Sequence, residues 1–406
     1  MIAALALAAA QLLPGSPAGC TGLCDPERLR PWFAKLAARR RGGASVRVLQ
    51  IGDSHTAGDQ VTGAWRTLLQ ARYGDAGRGL MAAGRPYQGY LTKGVTAAQS
   101  AGWSVSANFG AAWAGGAGAP VGVSGFSQTS MGDGAGMTLT ADRGTFARFG
   151  VCALARPGAG TVTLALGGAT QLLALDAPEQ VARCASVEGS AAQASLAASG
   201  AVTLTSWWSE TGQLGVVLSN LGTVGAQLVH LQREDDELVA AEIARARPDL
   251  LVVAFGTNEA FVPAFSAGTY QSQLRAGIGR LKRLAPGVPM LVLGAPDSAT
   301  RNTTLWSGAS GTSLPCDDPA WRPTAALAAV QAIQARVAHD EGAAFWSWSA
   351  AMGGRCTATR WAVATPPLMR GDRVHFTREG GEAIARALQA DLDAAAFLVA
   401  PDAVAR

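Results

Sequence analysis

The run Ser45-Val46-Arg47-Val48-Leu49-Gln50-Ile51-Gly52-Asp53-Ser54-His55 sets the architecture of this chain. Within its first seven residues Val46, Val48, Leu49 and Ile51 are apolar and three of these four are β-branched, the pattern of a buried strand. Gly52-Asp53-Ser54 then breaks the strand in a turn, and Gln60 to Tyr73 follows as an amphipathic helix. A buried strand that feeds a helix is half of a βαβ unit, and parallel sheets built from such units are covered on both faces.

The same rhythm returns after Gly212. Candidate strands Gly215 to Leu218, Leu250 to Ala254, Met290 to Leu293 and Ala344 to Trp346 alternate with helical stretches at Asp236 to Arg247, Tyr270 to Leu284, Thr324 to His339 and Arg378 to Ala390. With the first strand they make five, so the expected fold is a three-layer α/β/α parallel sheet of flavodoxin-like type. Asp25 to Arg40 reads as a preceding helix, with Asp25 as N-cap and Leu29, Trp32, Phe33 and Leu36 on its apolar side.

Between these two α/β parts, the stretch from about Trp103 to Ser209 has a different texture. Met137-Thr138-Leu139-Thr140, Thr161 to Leu166 and Val202 to Thr205 alternate apolar and polar residues and are separated by Gly, Pro and Asp. Short alternating strands at such spacing predict an inserted β-sandwich. Its segment contains no histidine, which argues against catalysis there. Trp113, Trp207 and Trp208 could serve either as core residues or as platforms for sugar rings. The expected organisation is thus a leader at 1–19, a helical segment at 20–44, an α/β part at 45–102, the sandwich at 103–211 and the second α/β part at 212–398.

Composition narrows the function classes. The 406 residues are 49% hydrophobic and 15% charged, which suits a compact chain rather than a disordered one. A formal charge of +4 with no basic patch interleaved by aromatics gives no nucleic-acid surface. The apolar run Ile2 to Leu13 is too short to span a bilayer and precedes the small, turn-prone stretch Pro14 to Gly19, the pattern of a secretory leader that here lacks a basic start. Export to the periplasm is the expectation; a lipoprotein attached at Cys20 is the lesser alternative, because Pro17 stands where such a signal has a Leu-like residue. Six cysteines without neighbouring histidines imply no zinc site, and nearest-neighbour disulfides Cys20–Cys24, Cys152–Cys184 and Cys316–Cys356 are expected in an oxidising compartment.

In an open α/β sheet the chemistry lies just beyond the carboxyl ends of the strands. Ser54 stands at such an end. Alone it is an ordinary turn residue, and a serine hydroxyl is a poor nucleophile without a base. Asp372-Arg373-Val374-His375, in a loop before the last helix, supplies a base and a carboxylate three residues apart, with Thr377 placed to cap the helix. His230 and His339 lie in helical patterns, and His55 abuts the serine, so His375 is the candidate base. Two further strand ends, Asn220-Leu221-Gly222-Thr223-Val224-Gly225 and Phe255-Gly256-Thr257-Asn258-Glu259, offer a glycine N–H and an Asn amide as donors to an oxyanion.

Gly52-Asp53-Ser54, Gly225, Gly256-Thr257-Asn258 and Asp372-x-x-His375 stand in the order of the four sequence blocks of SGNH (GDSL-like) hydrolases, and the chain resembles that class. The resemblance implies Ser54 as nucleophile, His375 as general base and acid, Asp372 as its orienting carboxylate, and an oxyanion hole from the N–H groups of Ser54 and Gly225 and the side chain of Asn258. Gly52 to Asp59, Gly77-Arg78-Gly79 and Gly256 to Ala260 further resemble the bacterial peptidoglycan O-acetylesterases, including His55 and Glu259 where much of the class has Leu and Asp. That family carries a β-sandwich similar to a carbohydrate-binding module between its first two blocks. The resemblance implies hydrolysis of O-acetyl esters on a cell-wall glycan, with no metal or organic cofactor and no stable protein partner. An esterase or acetyltransferase acting on another exported polysaccharide, and a glycan-binding protein on a hydrolase scaffold, are the competing readings.

Overall fold

The computed structural model describes residues 21–90, 92–302 and 316–400. The expected leader and Cys20 lie outside them. Six parallel strands, β1 (Val46–Gly52), β2 (Asp75–Gly77), β3 (Val216–Gly222), β4 (Leu250–Ala254), β5 (Met290–Leu293) and β6 (Ala344–Trp346), form one sheet in the order β6-β5-β4-β1-β3-β2. The two-residue strand Leu23–Cys24 adds an antiparallel edge beside β6. β2 was not legible as a strand, because Asp75-Ala76-Gly77 has no β-branched or aromatic residue; it forms because β3 offers it an edge.

Helices cover both faces. On one, α3 (Asp236–Ala246), α4 (Ala267–Leu284) and α5 (Leu327–Asp340) pack Val239, Ile278 and Val330 onto Leu49, Ile51, Leu251 and Val253. On the other, α1 (Arg30–Arg40), α2 (Gln60–Tyr73) and α6 (Arg378–Val399) pack Trp32, Trp65 and Leu388 onto Val46, Val48, Leu250 and Val252. Alternate residues of β1 and β4 therefore feed opposite cores, which is why both strands read as continuous apolar runs. This is the expected three-layer α/β/α arrangement with a parallel sheet at its centre.

Asp25 departs from its expected role. It has a left-handed backbone and makes no side-chain cap; the segment opens as a 3-10 turn at Pro26–Leu29, and the Asp25 carboxylate pairs instead with His339 Nδ1 at 3.0 Å.

The sandwich consists of two antiparallel sheets. One runs Ala169–Ala174, Thr161–Leu166, Gln193–Ser199, Gly136–Ala141, Val95–Gln99; the other runs Val181–Ala191, Phe146–Ala155, Thr203–Glu210, Phe126–Ser130, Trp103–Ala107. Leu139, Leu164, Leu196, Phe149, Val151 and Trp207 fill the core between them. The sandwich begins before the expected boundary at Trp103. Gly79–Met81 already pairs with the Thr203–Glu210 strand, and Val95–Gln99 is an edge strand of the first sheet. The strand at Val95 was missed because Val95-Thr-Ala-Ala-Gln99 is nearly featureless on its own and is held by its partner Gly136–Ala141. The Gly77-Arg78-Gly79 motif is thus the point where the chain steps from the parallel sheet to the sandwich, with Arg78 buried at the junction.

Disulfides Cys152–Cys184 and Cys316–Cys356 are present, as nearest-neighbour pairing expects. The first joins directly opposed residues on two neighbouring strands of one sandwich sheet, and the second joins Cys316, ahead of α5, to Cys356, beyond β6. Trp207 and Trp208 are buried, and Trp208 lies beneath the guanidinium of Arg245, so neither is a sugar platform. Trp113 is half-buried with Arg233 over its ring.

Candidate active site

The end of β1 delivers Ser54. Asp53 accepts the N–H of His55 at 2.9 Å and so caps the short helical turn Ser54–Ala57, which presents the serine at the sheet's carboxyl edge. Gly222, at the end of β3, lies directly against this turn: a Cβ there would stand 2.3 Å from Ala57 N and 2.7 Å from Asp53 O. Its lack of a side chain is a packing requirement of the serine turn.

Residues 370–375 bring the base. Asp372 Oδ1 accepts the N–H groups of Val374 and His375 at 2.9 and 3.0 Å, closing a tight turn, and its Oδ2 lies 2.8 Å from His375 Nδ1. A carboxylate only accepts, so Nδ1 carries the proton and Nε2 is left free to accept. Nε2 lies 3.0 Å from Ser54 Oγ, 321 residues away in sequence. Partial burial pushes the Asp372 carboxyl up, but the His375 and Val374 N–H groups and the His375 ring outweigh it, and its pKa falls below the ordinary value of 3.8. The carboxylate is therefore ionised at neutral pH, as a group orienting an imidazole must be.

The loop holding this pair is pinned on several sides. Arg370 N–H donates to His375 O at 2.7 Å, Ala299 N–H donates to Arg373 O at 3.0 Å, and the Arg373 guanidinium lies over Trp321. Thr377 caps α6 by accepting the Gly380 N–H, as its position before the helix implies.

His55 ties the two halves together. It is buried, with Nδ1 3.2 Å from Asp53 Oδ1 and Nε2 2.9 Å from the carbonyl oxygen of Val374. Both oxygens are acceptors, so the imidazolium form satisfies both contacts. Burial lowers the His55 pKa, but Asp53 and the Val374 carbonyl raise it more, and it ends above 6.5. The residue before the serine and the residue before His375 thus share one imidazole clasp.

The two oxyanion candidates are neighbours. Asn258 Nδ2 donates to Ala226 O at 2.8 Å, and Gln227 Nε2 reaches Asn258 O at 3.4 Å. The second hydrogen of the Asn258 amide is not consumed by the Ala226 contact. Gly225 has φ +79°, and a Cβ there would meet the Phe109 ring at 2.8 Å. Glu259 binds the two turns: its carboxylate accepts the N–H groups of Leu228 at 2.8 Å and Gly256 at 3.0 Å, and burial pushes its pKa up to about 7. The Glu in Gly256-Thr-Asn-Glu259 is long enough to make both contacts.

Ser54 and His375 open into a cavity of about 250 Å³ whose walls include Tyr87, Val224, Arg370 and Phe376. Tyr87 and Arg370 carry no sequence signal for this position. Tyr87 lies in the connection between two sandwich strands and packs on Phe126 of the sandwich, so the insertion itself supplies part of the wall. The other histidines lie elsewhere: His230 stacks on Phe109 in a 3-10 turn, and His339 pairs with Asp25.

The GDSL-like lipase/acylhydrolase family model matches residues 187–383. The solved structure of a peptidoglycan O-acetylesterase in action matches at 27% identity, covering 93% of this chain and 99% of that one, with a TM-score of 0.71. This chain carries a GDSL-like acylhydrolase domain. The acylhydrolase is a carboxylic ester hydrolase. The family match takes in Gly225, Asn258, Asp372 and His375 but not Ser54, which lies on the far side of the sandwich. More distant structures include a Bacillus subtilis protein at 14% identity, covering 78% of this chain and 98% of that one with TM-score 0.34. A family two carbohydrate esterase from Cellvibrio japonicus matches at 12%, covering 74% and 98% with TM-score 0.29. No curated protein sequence matches the chain.

Proposed function

We propose that this acylhydrolase is an exported O-acetylesterase that removes acetyl groups from a cell-wall glycan, with the 6-O-acetyl group of muramic acid in peptidoglycan as substrate. The observation that carries the reading is the relay Asp372–His375–Ser54, with contacts of 2.8 and 3.0 Å, at the mouth of a small cavity. The likeness over nearly the whole of both chains to a peptidoglycan O-acetylesterase, sandwich included, supports the substrate class.

In this reading Ser54 Oγ attacks the acetyl carbonyl while His375 Nε2 takes its proton. The negative charge that develops on the carbonyl oxygen is met by the N–H groups of Ser54 and Gly225 and by the free hydrogen of the Asn258 amide. His375 then protonates the departing sugar oxygen, leaving acetyl-Ser54. Water, deprotonated by His375, attacks the ester, and acetate leaves as Ser54 regains its proton. The cavity of about 250 Å³ admits an acetyl group and part of a sugar. His55 is a positioning residue that holds the serine turn to the base loop.

Export fits the two disulfides, which persist in oxidising compartments; no helix among the described residues is long and apolar enough to cross a membrane.

The test is acetate release from O-acetylated peptidoglycan, with Ser54→Ala and acetylated xylan as controls. Release from peptidoglycan that disappears in the variant is the expected result. Cleavage of a small acetyl ester with peptidoglycan left untouched would overturn the substrate and keep the esterase; cleavage of xylan in preference would move the reading to another polysaccharide.

A further inference from the structure

A second cavity, larger than the one at Ser54, lies elsewhere among the described residues. A cleft of about 430 Å³ lies between α2 and α6 of the hydrolase and the Ala141–Phe146 turn of the sandwich. Its walls carry five cationic side chains, Arg66, Arg78, Lys93, Arg143 and Arg386, against two carboxylates, Asp75 and Glu382. Two of the cations are built into the wall. Arg66 and Arg78 are buried, and they share one carboxylate, Asp59, at 2.8 and 3.6 Å. Their remaining contacts are neutral: both reach Asn220 Oδ1, Arg66 donates to Leu218 O, and Arg78 donates to Lys93 O. Two guanidinium charges against one carboxylate leave a net positive charge fixed in a low-dielectric wall, which focuses an attractive field for anions into the cleft. Arg143 and Arg386 stand exposed at its rim.

The cleft adjoins the candidate active site along one helix. Gln60 and Val61, at the start of α2, line the Ser54 cavity, and Gly63 to Gln70 of the same helix line the cleft. Lys93, in the wall of the cleft, donates through Nζ to Oε1 of Gln60, in the wall of the Ser54 cavity, at 2.6 Å. At 1.5 Å of rise per residue the cleft extends roughly 5–15 Å along α2 from the site, the reach of one or two sugar units or of a short peptide arm.

We propose that this cleft is a second substrate-binding site that takes a carboxylate of the polymer whose ester is cleaved at Ser54. It rests on the glycan O-acetylesterase reading and adds to it a preference for an acidic substrate. A neutral acetylated polysaccharide gains nothing from the cleft; a glycan bearing carboxylates, on its sugars or on attached peptides, is held there while its ester lies at the serine.

The test compares the protein with Arg143→Glu/Arg386→Glu, two exposed positions outside the catalytic machinery whose reversal leaves the buried Asp59 cluster intact. Co-sedimentation with insoluble peptidoglycan is measured in the Ser54→Ala background, so binding is read without turnover. Initial rates are measured on p-nitrophenyl acetate, on O-acetylated peptidoglycan, and on the same glycan after an amidase has removed its stem peptides. The expected result is weaker binding and a kcat/KM on peptidoglycan lower by about tenfold, an effect that shrinks as salt is raised, with the rate on p-nitrophenyl acetate unchanged. If the difference narrows on the stripped glycan, peptide carboxylates occupy the cleft; if it persists, those on the sugars do. Equal binding and equal kcat/KM for the two proteins would overturn the proposal while leaving the esterase intact. A protein that hydrolyses p-nitrophenyl acetate but releases nothing from peptidoglycan would instead overturn the substrate reading, and the co-sedimentation arm still decides the cleft.

Discussion

The parallel sheet is built from strands buried on both faces, whereas sandwich strands such as Thr161–Leu166 and Gln193–Ser199 alternate buried with more exposed residues, and the candidate chemistry gathers at the parallel sheet. Parallel strands share a direction, so β1, β3 and β4 all end on one edge, and the loops that follow bring Ser54, Gly225 and Asn258 into one neighbourhood. Antiparallel strands send alternate ends to opposite edges, and in the sandwich both sheets turn their apolar residues inward on Trp207 and Phe149. What the sandwich contributes is shape and field: Tyr87 in the wall of the small cavity and Arg143 at the rim of the large cleft.

Substitutions on the two sides of this division should fall apart by readout. The largest loss is expected at Ser54→Ala, where kcat for a small acetyl ester falls by about 10⁴–10⁶-fold with the melting temperature unchanged. Asp372→Asn, which lets the His375 ring take the wrong tautomer, should cost about 10³–10⁴-fold in kcat. Asn258→Ala should cost about 10²–10³-fold, and an equal fall in kcat and kcat/KM would assign its contribution to the transition state. A loss of less than threefold would remove Asn258 from the oxyanion hole.

Trp207→Ala tests the other side. It empties a fully buried site and should destabilise the protein by about 3–5 kcal/mol, read by denaturant unfolding, while activity per folded molecule on a small ester stays within about twofold. A large loss of turnover in the folded variant would break the division between the two regions.

The finest test is the pH dependence of His55. Its pKa is raised in the fold above 6.5, so its ionisation contributes stability that is fully present below pH 6.5 and is lost as pH rises through the raised value. His55→Gln should therefore lose most stability relative to the parent at acidic pH, with the difference narrowing on the alkaline side. A difference that is flat with pH would mean that His55 acts by packing against Trp348 and Phe376 rather than as an imidazolium.

Much of the α/β part was legible because its strands are buried on both faces and read as unbroken apolar runs; β4, β5 and β6 begin and end where the pattern does. β2 and the Val95–Gln99 strand escaped because their residues are small or polar and their strand state is conferred by β3 and by Gly136–Ala141. Asp25 had the residue type of a cap, but a left-handed backbone turned its carboxylate to His339. Glu259 shows the reverse: its residue type was visible within the motif, while its function as a tie between two turns depends on Leu228, 31 residues away.

By itself the sequence determined which residues are the candidates for nucleophile, base and carboxylate and in what order they come, since these are distinct residue types in short motifs that survive being read one at a time. Only the tertiary structure decided what surrounds them. The clasp of His55 on Val374, the wall at Tyr87 and the charge surplus at Arg66 and Arg78 all join residues remote in the chain. Their properties come from burial and from shared partners, which are settled by packing and leave no periodic trace along the chain.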